Sequence, residues 1–151
     1  MSITEQSGVP AIAAFGFAEP SGIELQAATG SKLVQTSGAY RLRFAECKAD
    51  LEAAFRLRFL VFNLELGEGF ESAYRDGQDN DEFDGVCDHL LVEHSLTGQV
   101  VGTYRLQAGQ VAARNFGYYS AREFDFSPFE PIRGSLVELG RACIHPRHRL
   151  L

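Results

Sequence analysis

Between Ala39 and Ala45 (AYRLRFA) apolar and polar side chains alternate, with Tyr40, Leu42 and Phe44 separated by Arg41 and Arg43. A period of two puts the apolar set on one face of a half-buried strand. The period then lengthens. In Lys48–Gly67 (KADLEAAFRLRFLVFNLELG), Leu51, Ala54, Phe55 and Phe62 recur at helical spacing. This predicts one amphipathic helix that carries Arg56 and Arg58 and stops at Gly67. The polar, acidic run ESAYRDGQDNDEFDG predicts a surface loop. DHLLVEH and QVVGTYRLQ are β-rich runs joined around Thr97 and Gly98, which predicts a hairpin. GQVAARNFGYY reads as a short helix or loop, and Ser120–Glu123 (SARE) matches a capping box, although Pro128 and Pro131 soon end any helix. The small and branched residues of SLVELGRACIH predict a strand central to a sheet.

The order strand, helix, strand, strand, short helix, strand is an α+β pattern with a mixed sheet, and it lacks the repeated βαβ units of a doubly wound fold. There is no internal repeat. Residues 1–38 are rich in Ala, Gly, Ser and Thr with few charges, so they are expected to form a flexible leader before a domain spanning residues 39–151.

At 151 residues, 45% apolar and with 12 phenylalanines, the chain suffices for one domain burying roughly two-thirds of its unfolded surface. The formal net charge of −6 argues against nucleic acid, which needs clustered cationic residues, and favours a cationic substrate or partner. Three cysteines (Cys47, Cys87, Cys143) without a C-x-x-C spacing argue against a disulfide framework or a zinc ribbon and for reduced thiols. The apolar stretch Val9–Ala18 follows no basic segment and falls far short of the roughly 20 residues of a membrane span. The expectation is a cytoplasmic protein, at most peripheral at the inner membrane.

Candidate chemistry narrows this further. Asp79, Asp81 and Asp84 precede Gly85, but a calcium loop in that register needs a glutamate at Leu91, so no such loop exists. The cluster is either a solvated loop or an anionic wall orienting a cationic substrate. His89 and His94, five apart on a strand, face opposite sides, and His145 and His148 flank a proline turn, so neither pair reads as metal ligands. No nucleophile elbow or phosphate loop is present. Glu138 and Arg141, three apart, point to opposite faces of a regular strand, where buried charges cost several kcal/mol unless paired. Either they form structural ion pairs, or Glu138 faces a cleft as general base with Gly140 admitting close backbone approach.

FRLRFLVFNLELG, DEFDGVCDHLLVEH, QVVGTYRLQ, GYYSAREFDFSP and LVELGRACIHPRHR, taken in order, resemble the GNAT superfamily of N-acyltransferases. Within it they are similar to the L-ornithine N(alpha)-acyltransferases of ornithine-lipid biosynthesis and the hemolysin-like proteins. A more distant similarity connects them to acyl-homoserine-lactone synthases. The resemblance implies direct attack of an amine on a thioester from acyl-carrier protein or acyl-CoA, with ornithine or another amine as acceptor and with no cofactor or metal. It assigns Glu138 and Arg141 to catalysis, Arg58, Asp81, Asp84 and Asp88 to the acceptor, and Cys143, Ile144 and Arg149 to the donor. Arg58 and Arg141 could instead stiffen the site through ion pairs. The family pattern continues beyond the HPxxR turn into a Gly-containing phosphate loop, a helix and a further strand. With Leu151 as the last residue, the resemblance implies a partial GNAT fold lacking the C-terminal helix and strands, and leaves activity of the chain alone open. A signal synthase making acyl amino acids or acyl lactones, and a non-catalytic binding module, stand as alternatives.

Overall fold

The computed structural model describes residues 34–149. The leader reading of residues 1–33, with its apolar stretch Val9–Ala18, lies outside the described residues. Five strands pair in chain order: β1 (Val34–Ser37), β2 (Tyr40–Phe44), β3 (Asp88–His94), β4 (Val100–Ala108) and β5 (Val137–Ile144). Every described pairing is antiparallel. The α+β class with flanking helices therefore holds, and none of the sheet's described pairings is parallel. Val34–Ser37 fall within the stretch read as leader, yet they pair with β2 through a turn at Gly38. All four are exposed; the strand is an edge held by backbone pairing, so it carries no apolar alternation to read.

Helix α1 (Lys48–Arg58) continues as a π-helix over Phe59–Glu65 and ends at Gly67, whose φ of 71° is the left-handed conformation glycine adopts cheaply. The wider turn shows as the Leu66 amide donating to Val61 five residues back (3.0 Å). It rotates the face that a uniform helix would bury. Ala54, Leu57, Arg58, Val61 and Asn63 are buried, whereas Phe62 is only half-buried. Leu57 and Val61 pack with Cys143 of β5, and Leu60, Phe62 and Val100 close around them.

The run Glu71–Gly85 is not simply a surface loop. It forms two 3₁₀ turns (Glu71–Arg75 and Glu82–Gly85) that bury Ala73, Phe83 and Asp84, and Asp79 between the turns is buried as well. After β4 a short helix α2 (Gly109–Arg114) leads into 3₁₀ turns at Ser120–Arg122 and Ser127–Ser135. Gly109 is required here: a Cβ would lie 2.5 Å from the Arg133 carbonyl and 2.8 Å from that of Gly134. The predicted capping box at Ser120 does not form, because Tyr119 is the N-cap and has no side-chain cap bond. The Ser120 hydroxyl is bonded to Glu138 instead.

β5 is the outermost strand among the described residues, and Val137, Leu139 and Ile144 are about half exposed. Small and branched residues suit a covered strand and an edge alike, so its composition does not distinguish the two. β5 is also irregular. Thr103 pairs with Cys143 while Arg105 pairs with Gly140, so β5 holds one more residue than β4 over this span. Arg141 takes a φ of 49° at that bulge.

Candidate functional site

Three arginines from three elements converge beneath the sheet. Arg58 of α1 gives Nε to Asp79 (3.1 Å) and a two-pronged contact to Asp84 (2.7 and 3.0 Å). Arg105 of β4 reaches Asp81 (2.6 Å) and Asp84 (3.1 Å). Arg141 pairs with Asp79 and lies between the rings of Phe62 and Phe70, 4.6 and 4.4 Å from their centroids. Arg58, Asp79 and Asp84 are all at most 5% exposed. At such depth unpaired charges are costly, and the pairs stand because every carboxylate has a guanidinium. Burial opposes ionisation of Asp84, yet Arg58, the Asp81 amide and Arg105 together hold it below the usual carboxylate range.

This geometry separates the residues expected to hold the acceptor. Arg58 and Asp84 are saturated by each other and their neighbours, so they brace the site from below instead of facing a ligand. Asp81 caps the turn at Phe83 (2.9 Å) and pairs with Arg105. Asp88 is exposed at the start of β3 and lines neither of the two cavities flanking β5. The anionic wall is thus neutralised from within.

Along β5 one residue after another lines two cavities. The first, about 170 Å³, is bounded by Arg105, Gln107, Tyr119, Ser120 and Glu138–Arg141. The second, about 570 Å³, is largely apolar and includes Val61, Phe62, Leu90, Val92, Ala142, Cys143, Ile144 and Arg149. The change from one to the other falls between Arg141 and Ala142, at the bulge. Glu138 and Arg141 therefore share the first cavity, and Cys143, Ile144 and Arg149 share the second. Arg149 is anchored there by Glu65 (2.6 and 2.7 Å) and the Ile144 carbonyl.

Among the described residues the Glu138 carboxylate makes no ion pair with an arginine. Its Oε1 accepts from the Ser120 amide (2.7 Å) and hydroxyl, and Oε2 accepts from the Tyr119 amide (2.8 Å). Each carboxylate oxygen has two lone-pair directions, and Oε2 accepts one hydrogen bond among the described residues, which leaves its second available. The two cysteines nearest the site, Cys87 and Cys143, offer no competing nucleophile. Burial pushes the Cys143 thiol up to about 12 and that of Cys87 up to about 11, so both are protonated and poorly nucleophilic near neutral pH.

Sequence reasoning missed Arg105, Gln107 and the Tyr119–Ser120 amides, and it placed Asp79 in the acidic cluster without its arginine partners. The alternation Thr103, Arg105, Gln107 on a predicted strand was the available signal for two of them. Backbone donors leave none.

A family model described as an acetyltransferase (GNAT) domain matches residues 57–150, and the chain belongs to that family. The L-ornithine N(alpha)-acyltransferase of Brucella abortus is 38% identical over 145 residues, covering 85% of this chain and 50% of that protein. The enzymes of the same name from Agrobacterium fabrum and Rhodobacter capsulatus are 38% and 36% identical, over 74% of this chain and 41% and 45% of theirs. The chain spans about half the length of the curated relatives it matches. No solved structure matches it significantly. Among the described residues no helix is long and apolar enough to cross a membrane, and no group of three or more His, Cys, Asp or Glu side chains is placed to hold a metal.

Proposed function

We propose that this chain carries the acyl-transfer site of an L-ornithine N-acyltransferase, moving a 3-hydroxyacyl group from an acyl-carrier protein thioester to the α-amine of ornithine for ornithine-lipid synthesis. The observation that carries the reading is the order along β5: a carboxylate with one free lone pair at Glu138, then the bulge, then an apolar groove. An amine held at Glu138 and an acyl thioester lying in the groove would meet at the bulge.

The chemistry follows. A neutral amine attacks the thioester carbonyl carbon, the C–N bond forms, and the C–S bond breaks with release of the carrier thiol. The amine proton passes to Glu138, and a proton ends on the departing sulfur. A bulge leaves one residue out of the ladder, so a backbone N–H near Arg141 is free to turn toward the developing oxyanion. Arg141 is suited to the acceptor's carboxylate, and Cys143, Ile144 and Arg149 to the donor arm. Arg58, Asp81 and Asp84 fix the floor. The protein works in the cytoplasm, against the inner membrane at most peripherally.

The test is incubation of the chain with L-ornithine and 3-hydroxyacyl-acyl-carrier protein, with mass spectrometry of the products. N-acylornithine together with free carrier thiol is expected. An acyl lactone or another acyl amino acid would move the assignment to a signal synthase. Saturable carrier-protein binding with no product would reject catalysis by this chain in favour of a binding module.

A further inference from the structure

Gln107 is 2% exposed, and neither end of its amide has a hydrogen-bond partner among the described residues. Buried amides are nearly always paired, and an unmatched one is a standing destabilisation. The position is not accidental. Gln107 pairs in register with Glu138 across β4 and β5, and both line the 170 Å³ cavity. The same cavity is bounded by Arg141, whose Nε is buried and also without a partner. Its volume is of the order of engineered cavities of about 150 Å³ that hold a benzene-sized ligand.

The unused groups thus form a pattern: an acceptor lone pair on Glu138 Oε2, a donor and an acceptor on Gln107, and a guanidinium donor on Arg141. This pattern complements a small molecule bearing an amine beside a carboxylate. We propose that Gln107 is an acceptor-binding residue, its amide oxygen taking a hydrogen bond from the amine beside Glu138 and its amide nitrogen donating to the carboxylate held by Arg141. The assignment rests on the acyl-transfer reading above and adds to it the residue that discriminates amino acids from simple amines. A site with such built-in donors rejects a ligand lacking the matching group, because its own polar atoms are then left unpaired.

The experiment compares the chain with Gln107→Leu, which keeps the volume and removes the amide. Calorimetric titrations use L-ornithine and putrescine, the same diamine without the carboxylate. The substitution is expected to weaken ornithine binding at least tenfold and putrescine binding by a smaller factor. Ornithine affinity within twofold of the parent, or equal losses for both ligands, overturns the proposal. A second arm measures thermal unfolding without ligand. The Gln107→Leu protein is expected to melt at a higher temperature, since an unmatched amide has been removed. A lower midpoint overturns the proposal, because the amide then has a partner within the protein. If the parent chain binds no ornithine, the acyl-transfer reading fails and the proposal with it, whereas loss of the ornithine preference in Gln107→Leu alone, or its persistence there, bears on Gln107 only.

Discussion

Glu138 and Arg141 open onto one cavity although they stand three positions apart on a strand. Regular alternation would place them on opposite faces. The extra residue opposite Tyr104, with Arg141 in the left-handed region, cancels that half-turn. A non-glycine residue in this conformation costs about 1–3 kcal/mol. The ion pair to Asp79 and the two phenylalanine rings oppose that cost. The bulge is what turns a structural strand into the wall of a site.

If Glu138 receives the amine proton, Glu138→Gln should lower kcat by about 10² to 10⁴-fold. The same change puts an amide NH₂ where the Tyr119 or Ser120 amide now donates. One part-buried bond is lost, at about 1 kcal/mol. Steady-state kinetics read the first effect, and hydrogen exchange at the Tyr119 and Ser120 amides reads the second. Unchanged kcat with faster exchange would leave Glu138 as a loop clamp alone.

Asp84 is the hinge of the arginine network, because Arg58 and Arg105 both lean on it. Asp84→Asn removes one charge and leaves two buried guanidiniums partly unpaired, a loss of about 3–5 kcal/mol. Urea unfolding measures it. A loss under 1 kcal/mol would show that the network relaxes outward into solvent.

Stability should fall with acid in two phases. Burial depresses the His89 value below the ordinary imidazole range, with Arg58 and Arg105 adding to the effect and Asp84 opposing it. The unfolded chain therefore takes up a proton near pH 6.5 that the folded chain refuses, and stability declines below that pH. Asp84, Glu93 and Asp50 are held low in the folded state, the latter two chiefly by Arg43. Their contribution is complete above the unfolded carboxylate range and drains away as pH falls below about 4. Urea midpoints between pH 8 and 3 test this. His89→Gln should shrink the upper phase and leave the lower one.

The sequence made some of this legible and hid the rest for identifiable reasons. The helix over Lys48–Gly67 and the hairpin around Gly98 follow from periodicity and glycine placement, which local residues dictate. The π turn after Arg58 and the bulge at Arg141 do not, because both are register shifts decided by packing. Those two shifts settle which side chains meet. Phe62, in the π-helical segment after α1, is turned from the face that a uniform helix would bury and lies against Arg141. The acidic run reads as a solvated loop until Arg58, Arg105 and Arg141 arrive from elements far away in sequence. Glu138 is visible in the sequence as a carboxylate on a predicted strand, whereas the amides that grip it carry no residue-type signature.

The three thiols sharpen the distinction between direct transfer and an acyl-enzyme route. A cysteine nucleophile needs its thiolate, and burial disfavours that form for both Cys87 and Cys143. Cys47 is exposed, at the start of α1, and lines neither of the two cavities flanking β5. Iodoacetamide at neutral pH should therefore modify Cys47 well before the other two, with little loss of acyl transfer. Incubation with the thioester donor alone should leave no acyl group on any cysteine. Peptide mass spectrometry after each treatment reads both outcomes. An acyl adduct on Cys143, formed at a rate matching turnover, would replace attack by the free amine with a two-step transfer through sulfur.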